Sequence, residues 1–210
     1  MIPEDITIHL TQWLSSLTDQ ERISALNCLQ QFLHPYSPFH DEPVSCIQWV
    51  PAEMIAANDY NPNTMTPVEK KLLELSLLKD GFTQPVVVTR SGPDAKNYQV
   101  VDGYHRFTLS QKPKLRKRLL GHVPVVCIRT RWDEPAGLMA TTIRHNRARG
   151  QHRVAAMSDI VRDLSRLGWN DERIGKELGM EQDEVLRLKQ ISGLTELFRS
   201  GEYSEAWTVR

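Results

Sequence analysis

The chain has 210 residues, 40% of them hydrophobic and 25% charged, which is typical of globular proteins with an apolar core. No run approaches the roughly 20 apolar residues that a membrane-spanning helix needs, and the first residues lack the basic start and apolar stretch of a signal peptide. The isolated cysteines Cys28, Cys46 and Cys127 exclude a disulfide framework and argue against a zinc ribbon. We therefore expect a soluble, cytoplasmic protein.

The charges are segregated along the chain, although the formal net charge is zero. Residues 1–60 carry eight acids and a single base, Arg22, whereas residues 84–153 carry fourteen Lys or Arg and four acids. A basic segment of this kind suits a phosphate-bearing partner. The alternative is that the acidic N-terminal segment packs against the basic middle of the same chain.

Residues 1–43 predict a helical N-terminal extension. Apolar residues recur at helical spacing in the first half. Thr18 and Glu21 have the spacing of a capping box, which predicts the start of a second helix. Its apolar positions predict a buried stripe, comprising Ile23, Leu26, Leu29 and Leu33. Prolines after this helix indicate a linker.

Residues 44–133 predict short strands alternating with helices. β-rich runs predict four strands, at 45–50, 85–89, 98–101 and 123–128. The second and third of these strands are expected to pair as a hairpin. Thr66-Pro67 predicts the start of a helix that runs to about Lys79. A basic helix is predicted over 106–120.

Residues 134–200 predict an all-helical domain, followed by a tail over 201–210 with little pattern. One helix is predicted over 135–145 and another over 153–167. The inward face of the second is predicted to hold Val154, Met157, Ile160, Val161 and Leu164. Two further short helices meet at Gly179 with the spacing of a helix-turn-helix.

The second helix of this helix-turn-helix begins with carboxylates. Its first residues are Glu181-Gln-Asp-Glu184, where a DNA-reading helix would approach phosphates. Because affinity for DNA comes largely from neutralised phosphates, this charge opposes sequence-specific DNA binding. The unit is therefore expected to be either a structural relic or a docking surface for a protein partner. If the chain contacts DNA, the basic 106–153 face is the better candidate, without sequence preference.

Two separated segments are candidates for binding an anion. Val101-Asp-Gly-Tyr-His-Arg106 runs from a strand into a helix, where Gly103 permits close backbone approach and the helix start suits phosphate. Asp102 is a candidate Mg²⁺ ligand or catalytic base, and His105 with Arg106 would neutralise phosphate charge. The second segment, 144–153, has four arginines and no acid. The alternatives are an ordinary turn and a nucleic-acid backbone contact.

The order of these motifs, from about Val44 to Leu194, resembles the ParB/sulfiredoxin superfamily. The shared motifs are Tyr60-Asn-Pro-Asn, Leu78-Lys-Asp-Gly-Phe-Thr-Gln-Pro-Val-Val-Val, Tyr98-Gln-Val-Val-Asp-Gly-Tyr-His-Arg, His122-Val-Pro-Val-Val-Cys-Ile-Arg and the box around His145-Asn-Arg-Ala-Arg. The resemblance implies an α+β fold: a small mixed sheet of the ParB/sulfiredoxin type with flanking helices, then the helix-turn-helix domain.

The resemblance also implies a nucleotide site. ParB proteins bind and hydrolyse CTP and clamp DNA as dimers, so the expected ligand is ATP, ADP or CTP with Mg²⁺, and a homodimer is an expected assembly. The residues expected to hold nucleotide and phosphate are Gln84, Gly103, Tyr104, Arg106, Arg144, His145, Asn146, Arg147 and Arg149. Asp102 and His105 are the expected catalytic residues, and Asp102 is the expected metal ligand.

Departures from the family pattern shape the functional hypotheses. The sequence from Gly103 to Arg106 is closer to the ParB-like free serine kinases, which use adenine nucleotides, than to the Gly-Glu-Arg-Arg of ParB. Tyr104 stands where sulfiredoxins place their reactive cysteine. His145 replaces the Glu of the ParB box, while Asn146 is retained. The length and helical extension resemble the IbrB-like coactivators of gene expression.

Three functions follow as hypotheses. The leading one is a ParB-like nucleotide-binding regulator, either a transcriptional coactivator or a DNA-associated switch. The second is a small-molecule kinase or NTP phosphohydrolase, in which Asp59 or Glu53 would supply a second carboxylate beside Asp102. The third is a DNA-binding transcription factor that acts through its helix-turn-helix.

Overall fold

The computed structural model describes residues 2–57, 65–90, 97–128, 135–147 and 154–200. The chain forms two compact units. We call the first, Met1–Asn58 with Thr66–Thr130, the sheet unit, and the second, Asp59–Met65 with Arg131–Arg210, the helical unit. The two predicted helices of the N-terminal extension thus belong to the same unit as the sheet.

The sheet unit is built on a mixed five-stranded sheet. Its strands are β1 (Gln48–Pro51), β2 (Ile55–Ala56), β3 (Val86–Arg90), β4 (Tyr98–Asp102) and β5 (His122–Cys127). The spatial order is β1-β5-β3-β4-β2. Strand β1 is antiparallel to β5 and β3 is antiparallel to β4, whereas β3 with β5 and β2 with β4 are parallel. The predicted mixed sheet and its hairpin are confirmed, and β2 was not predicted.

Valines from three strands form the centre of the sheet core. The fully buried ones are Val86, Val88, Val100, Val123 and Val125. Strands β3 and β5 lie inside the sheet, where both of their faces are covered, which explains why their sequences are nearly continuous apolar runs. This buried centre fixes the positions of the strand ends, from which the candidate site is built.

Five helices flank the sheet in the part of this unit that the structure describes: α1 (Glu4–Ser16), α2 (Asp19–Leu33), α3 (Pro67–Lys79), α4 (Tyr104–Ser110) and α5 (Pro113–Arg118). The predicted capping box of Thr18 and Glu21 is present, and Thr66 forms a second one at the start of α3. Leu77 of α3 packs against Leu109 of α4 and Leu115 of α5.

The prediction of one basic helix over 106–120 is wrong. Helix α4 ends at Ser110, and α5 begins at Pro113. Proline lacks the backbone N–H that would continue the helix and clashes with the preceding turn, but it is well tolerated in the first turn of a new helix. The chain therefore turns at Gln111-Lys112, and the basic residues belong mainly to the short α5.

The prediction that α2 buries its apolar stripe is wrong for Leu26 and Leu33, whereas Ile23 and Leu29 are partly buried. Leu26 is 47% exposed and Leu33 is 56% exposed, and Ala25 is the buried residue of this helix. Amide side chains of α2 also join this helix to the rest of the sheet unit through hydrogen bonds to backbone groups. Asn27 exchanges two hydrogen bonds with the backbone of Trp49, at 2.7 and 2.9 Å. Gln30 donates to the carbonyl of Ser45.

The helical unit contains α6 (Pro135–Arg147), α7 (Val154–Arg166), α8 (Asp171–Leu178) and α9 (Gln182–Ser200) within the described residues. Its core joins residues of all four helices. The predicted inward face of α7 is buried at Met157, Ile160, Val161 and Leu164, and the side chain of Val154 lies outside the described residues.

The predicted helix-turn-helix is formed by α8 and α9. Gly179 ends α8 with a φ of +65°, a conformation that glycine adopts readily. A Cβ on Gly175 would lie 2.8 Å from the carbonyl oxygen of Met180, so the tight turn requires a glycine there. Across both units, no helix in the described ranges is long and apolar enough to cross a membrane.

Candidate functional site

The end of β4 turns directly into α4 through Gly103. Asp102 is the last residue of the strand and Tyr104 is the first of the helix, as the motif predicted. Gly103 has a φ of +91°, which L-residues with a side chain rarely adopt. A Cβ at this position would also lie 3.1 Å from Nη2 of Arg106. Glycine is therefore required both by the backbone conformation and by the close approach of the guanidinium.

Arg106 joins this turn to a second predicted segment. Its Nη1 donates to the carbonyl oxygens of Gln84, at 2.7 Å, and Pro85, at 3.0 Å. Its Nη2 lies 3.5 Å from Oδ2 of Asp102, and the two side chains are only 13% and 8% exposed. We call the residues Gln84, Pro85 and 102–106 the cradle. The structure thus brings together two segments that are about twenty residues apart in the sequence.

Through these contacts, Arg106 and Asp102 hold the segments of the cradle together. A guanidinium donates in a planar fork, and here the fork holds the Gln84-Pro85 turn in place. The carboxylate of Asp102 orients that guanidinium. The sequence placed both residues in one motif but carried no signal that they pair, because Asp102 lies in β4 and not in helix α4. It carried no signal for the two carbonyl acceptors.

The remaining cradle side chains differ in exposure. Gln84 presents an exposed side chain, whereas Tyr104 is partly buried against the sheet core. The rings of Tyr104 and His105 meet edge to face, with their centroids 5.4 Å apart. The pKa of Glu69, in the first turn of α3, is lowered because the N–H and hydroxyl of Thr66 bond to its carboxylate.

The described residues of the cradle do not form a dedicated metal site. Among the described residues, no group of three His, Cys, Asp or Glu side chains is arranged to hold a metal ion. Magnesium is commonly held by one or two carboxylates together with substrate phosphates and water. Asp102 is the cradle carboxylate that the sequence predicts for this role, and in the structure its Oδ2 already lies 3.5 Å from Nη2 of Arg106.

The arginine-rich segment belongs to the helical unit. Arg144 lies in α6, where it pairs with Glu177 and donates to Oγ1 of Thr141 at 3.0 Å. The side chains of His145, Asn146 and Arg147, and Arg149 as a whole, lie outside the described residues, as does Asp59. Glu53, the other candidate second carboxylate, is exposed in a short turn between β1 and β2. Convergence of 144–149 with the cradle remains a prediction.

The two candidate nucleic-acid surfaces are only partly available. Lys112, just before α5, pairs with Glu74, and Arg118 of α5 donates to the carbonyls of Leu77 and Leu78 at the end of α3. The basic residues of α5 are all exposed, namely Lys114, Arg116, Lys117 and Arg118.

Helix α9 presents mainly carboxylates at its N-terminal end. Asp183 and Glu184 lie in its first turn, and both are exposed. Lys189 is engaged by Asp171, which leaves Arg187 as the exposed base near this end of the helix. The N-terminal end of α9 therefore carries exposed negative charge, as the sequence indicated.

Comparison with known proteins identifies the family. The model of the ParB N-terminal domain family matches residues 38–143. The chain belongs to this family. An IbrB-like C-terminal HTH domain matches residues 152–200, which agrees with the helix-turn-helix formed by α8 and α9. The predicted ParB resemblance is therefore confirmed, together with its IbrB-like part.

One curated relative and two solved structures illustrate this similarity. YbdM of Escherichia coli (strain K12) is 52% identical over 206 residues, covering 98% of this chain and 96% of that protein. The C-terminally truncated chromosome-partitioning protein ParB of Caulobacter crescentus, complexed to the centromeric parS site, is 21% identical at a TM-score of 0.47, covering 75% of this chain and 80% of that one. The same protein complexed with CTP-γ-S is 21% identical at a TM-score of 0.40, covering 74% and 86%. At these scores neither structural likeness bears on function.

Proposed function

We propose that this ParB-family chain is a nucleotide-binding regulatory protein. A nucleoside triphosphate or diphosphate with Mg²⁺ binds at the cradle, and its occupancy sets the arrangement of the helical unit. The observation that carries the proposal is the pair of hydrogen bonds from Arg106 to Gln84 and Pro85. They organise, around a glycine-led helix start, two of the three segments that the family resemblance assigns to the nucleotide.

The roles of the cradle residues follow from their contacts. Arg106 and Asp102 fix the shape of the cradle, and the first turn of α4 offers backbone N–H groups suited to phosphate. His105 supplies positive charge beside that turn. Arg144, Arg147 and Arg149 neutralise the remaining phosphate charge, with His145 and Asn146 completing the pocket. Asp102 is the candidate protein ligand of a Mg²⁺ ion that arrives with the nucleotide.

Regulation is favoured over the two rival functions by specific contacts. As a kinase or phosphohydrolase, the protein would use Asp102 as a base, but this carboxylate is directed at the guanidinium of Arg106. As a DNA-reading factor, it would place the exposed carboxylates of Asp183 and Glu184 near phosphates. Regulation through a nucleotide requires only that the ligand prefer one arrangement of the two units.

Calorimetric titration with ATP, ADP, CTP and GTP, each with Mg²⁺, tests the site. We expect Gln84→Glu to weaken binding about tenfold, because a negative charge within a few ångströms of phosphate costs about 1.4 kcal/mol. The substitution keeps the size of an exposed side chain, and the backbone carbonyl that accepts from Arg106 is unchanged. Gln12→Glu, at an exposed position of α1, is the matched control and should bind as the wild type does. Equal affinity of the Gln84 and Gln12 variants would contradict the placement.

Turnover separates the regulator from the enzyme. We expect saturating binding of one nucleotide, with phosphate release no faster than in buffer. Phosphoryl transfer to a small molecule, measured by phosphorus NMR, would establish the kinase alternative instead.

A further inference from the structure

The sheet unit has an apolar groove that shares Pro85 with the cradle and is otherwise lined by different residues. It has a volume of about 580 Å³ and lies between α2, the β1–β5 edge and the turn before β3. Leu26, Leu29 and Leu33 of α2 form one wall, Trp49 and Pro124 lie opposite each other on the two strands, and Phe82 lines the other side. Large apolar residues exposed together in this way mark interaction surfaces.

The groove is held open by the manner in which α2 binds the sheet. Asn27 satisfies both backbone groups of Trp49, on the edge strand β1. A polar contact of this kind covers an unpaired sheet edge without requiring the helix to bury its leucines. The apolar surface continues past Leu33, since Phe32 and Tyr36 are exposed and their rings lie 5.8 Å apart. The exposed area thus extends beyond the groove itself.

The segment that supplies most of the groove's lining is strongly acidic. Residues 2–57 carry seven acids, and all are exposed: Glu4, Asp5, Asp19, Glu21, Asp41, Glu42 and Glu53. Arg22 is the one Lys or Arg in this stretch, and it is engaged by Asp19 and by the carbonyls of Leu14 and Leu17. The last turn of α2, which lines the groove, has no basic residue to offset the negative end of the helix dipole.

From these observations we propose that the groove binds a basic amphipathic helix of a partner protein. Leucines spaced along α2 offer pockets for apolar side chains at i, i+3 or i+4 and i+7 of such a helix. The exposed carboxylates of residues 2–57 would attract its basic face. A second copy of the same face is disfavoured, because two surfaces with this acidic excess repel each other. The proposal does not depend on the nucleotide site.

A labelled model peptide tests the proposal with the full chain. The probe is a fluorescent Leu/Lys peptide of about four helical turns, roughly 14 residues, with its leucines on one face. A scrambled peptide of the same composition keeps the charge without the apolar face, and a Leu/Glu peptide keeps the face with the opposite charge. Binding is followed by fluorescence anisotropy at low and high salt.

We expect the Leu/Lys peptide to bind about tenfold more tightly than either control, and to weaken in high salt. Leu26→Ser with Leu33→Ser should weaken it about tenfold, because the apolar contacts are lost. Both positions are about half exposed, so the fold should persist, which circular dichroism checks. Leu72→Ser, at an exposed position of α3, is the control and should leave the affinity within about twofold of the wild type.

Three results would overturn the proposal. The first is equal binding of the scrambled peptide, which would show a purely electrostatic contact. The second is an affinity that the groove variant leaves unchanged or that Leu72→Ser lowers equally. The third is a concentration-dependent dimer, seen by analytical ultracentrifugation, that the groove variant abolishes, which would assign the groove to a second copy.

Discussion

Helices α2 and α7 have similar apolar spacing but very different environments. The apolar stripe of α7 is buried at all four described positions, within a core shared with α6, α8 and α9. On α2, Leu26 and Leu33 remain about half exposed, and the helix is attached by Asn27 and its neighbouring glutamines. The comparison shows that periodicity identifies the apolar face of a helix, whereas burial depends on whether another element covers that face.

The same contrast extends to the two units. The helical unit is stabilised mainly by an apolar core between helices that are close in sequence. In the sheet unit, hydrogen bonds from side chains to backbone carbonyls also join segments that are distant in sequence, such as those from Arg106 to Gln84 and from Asn27 to Trp49. We therefore expect large apolar truncations to dominate in the helical unit and losses of single hydrogen bonds of this kind to matter in the sheet unit.

The largest expected effect is Leu164→Ala in α7. A fully buried leucine loses its packing and leaves a cavity, so unfolding free energy should fall by about 2 to 5 kcal/mol. Leu33→Ala in α2 removes a half-exposed side chain and should cost less than about 1 kcal/mol. Urea unfolding followed by circular dichroism measures both. Equal losses of unfolding free energy in the two variants would contradict the contrast between a buried α7 and a partly exposed α2.

Arg106→Met should come next, with a loss of about 2 to 4 kcal/mol. The substitution leaves Asp102 in a buried place without its guanidinium and removes the donor to two carbonyls. Adding Asp102→Asn to that variant should recover part of the loss, because no buried charge then remains. If the double variant were as unstable as the sum of the two single variants, the pair would not be coupled.

Gly175→Ala should destabilise the helical unit by about 1 to 3 kcal/mol, since its Cβ would press on the carbonyl of Met180. Gly193→Ala is the matched control in α9. Its Cβ would meet no described atom within 4 Å, so the substitution should stabilise the helix by up to about 1 kcal/mol. The midpoint temperature of thermal unfolding should fall for Gly175→Ala and rise for Gly193→Ala. Shifts of the same sign would contradict the packing of the turn.

Apart from the control variants, the smallest effect is expected for Asn27→Ala. Two hydrogen bonds to the backbone of Trp49 are lost, for a cost of about 1 to 2 kcal/mol, since water reaches this exposed edge. Because these bonds hold α2 to the sheet edge, hydrogen exchange should rise at Trp49 and in α2. Unchanged exchange there would mean that the leucines, and not the amide, hold the helix.

Much of the fold could be predicted from local signals. Four strands, the capping box of Thr18 with Glu21, and the helix-turn-helix follow from β-rich runs, cap chemistry and glycine placement. The two-residue strand β2 was missed because it is too short to show a pattern. Pro113 was a local signal that one helix ends and another begins, but the run of basic residues around it led to the prediction of a single helix.

The candidate site could be predicted as a motif but not as a geometry. Gly103 was identified correctly as the residue that allows a close approach, yet what approaches it in the structure is Arg106. The acceptors of that arginine are backbone carbonyls, which every residue possesses, so no residue type marks them. Contacts between segments distant in sequence are set by the packing of the sheet, and local patterns do not encode them.

Hydrogen exchange with and without nucleotide tests the central claim most directly. We expect Mg²⁺ with the tightest-binding nucleotide to slow exchange in two places, at residues 82–86 with 102–108, and at residues 144–153. Protection of both segments would mean that the glycine-led helix start and the arginine-rich segment hold one ligand. Protection of the first segment alone, or of neither while the nucleotide is bound, would contradict the account.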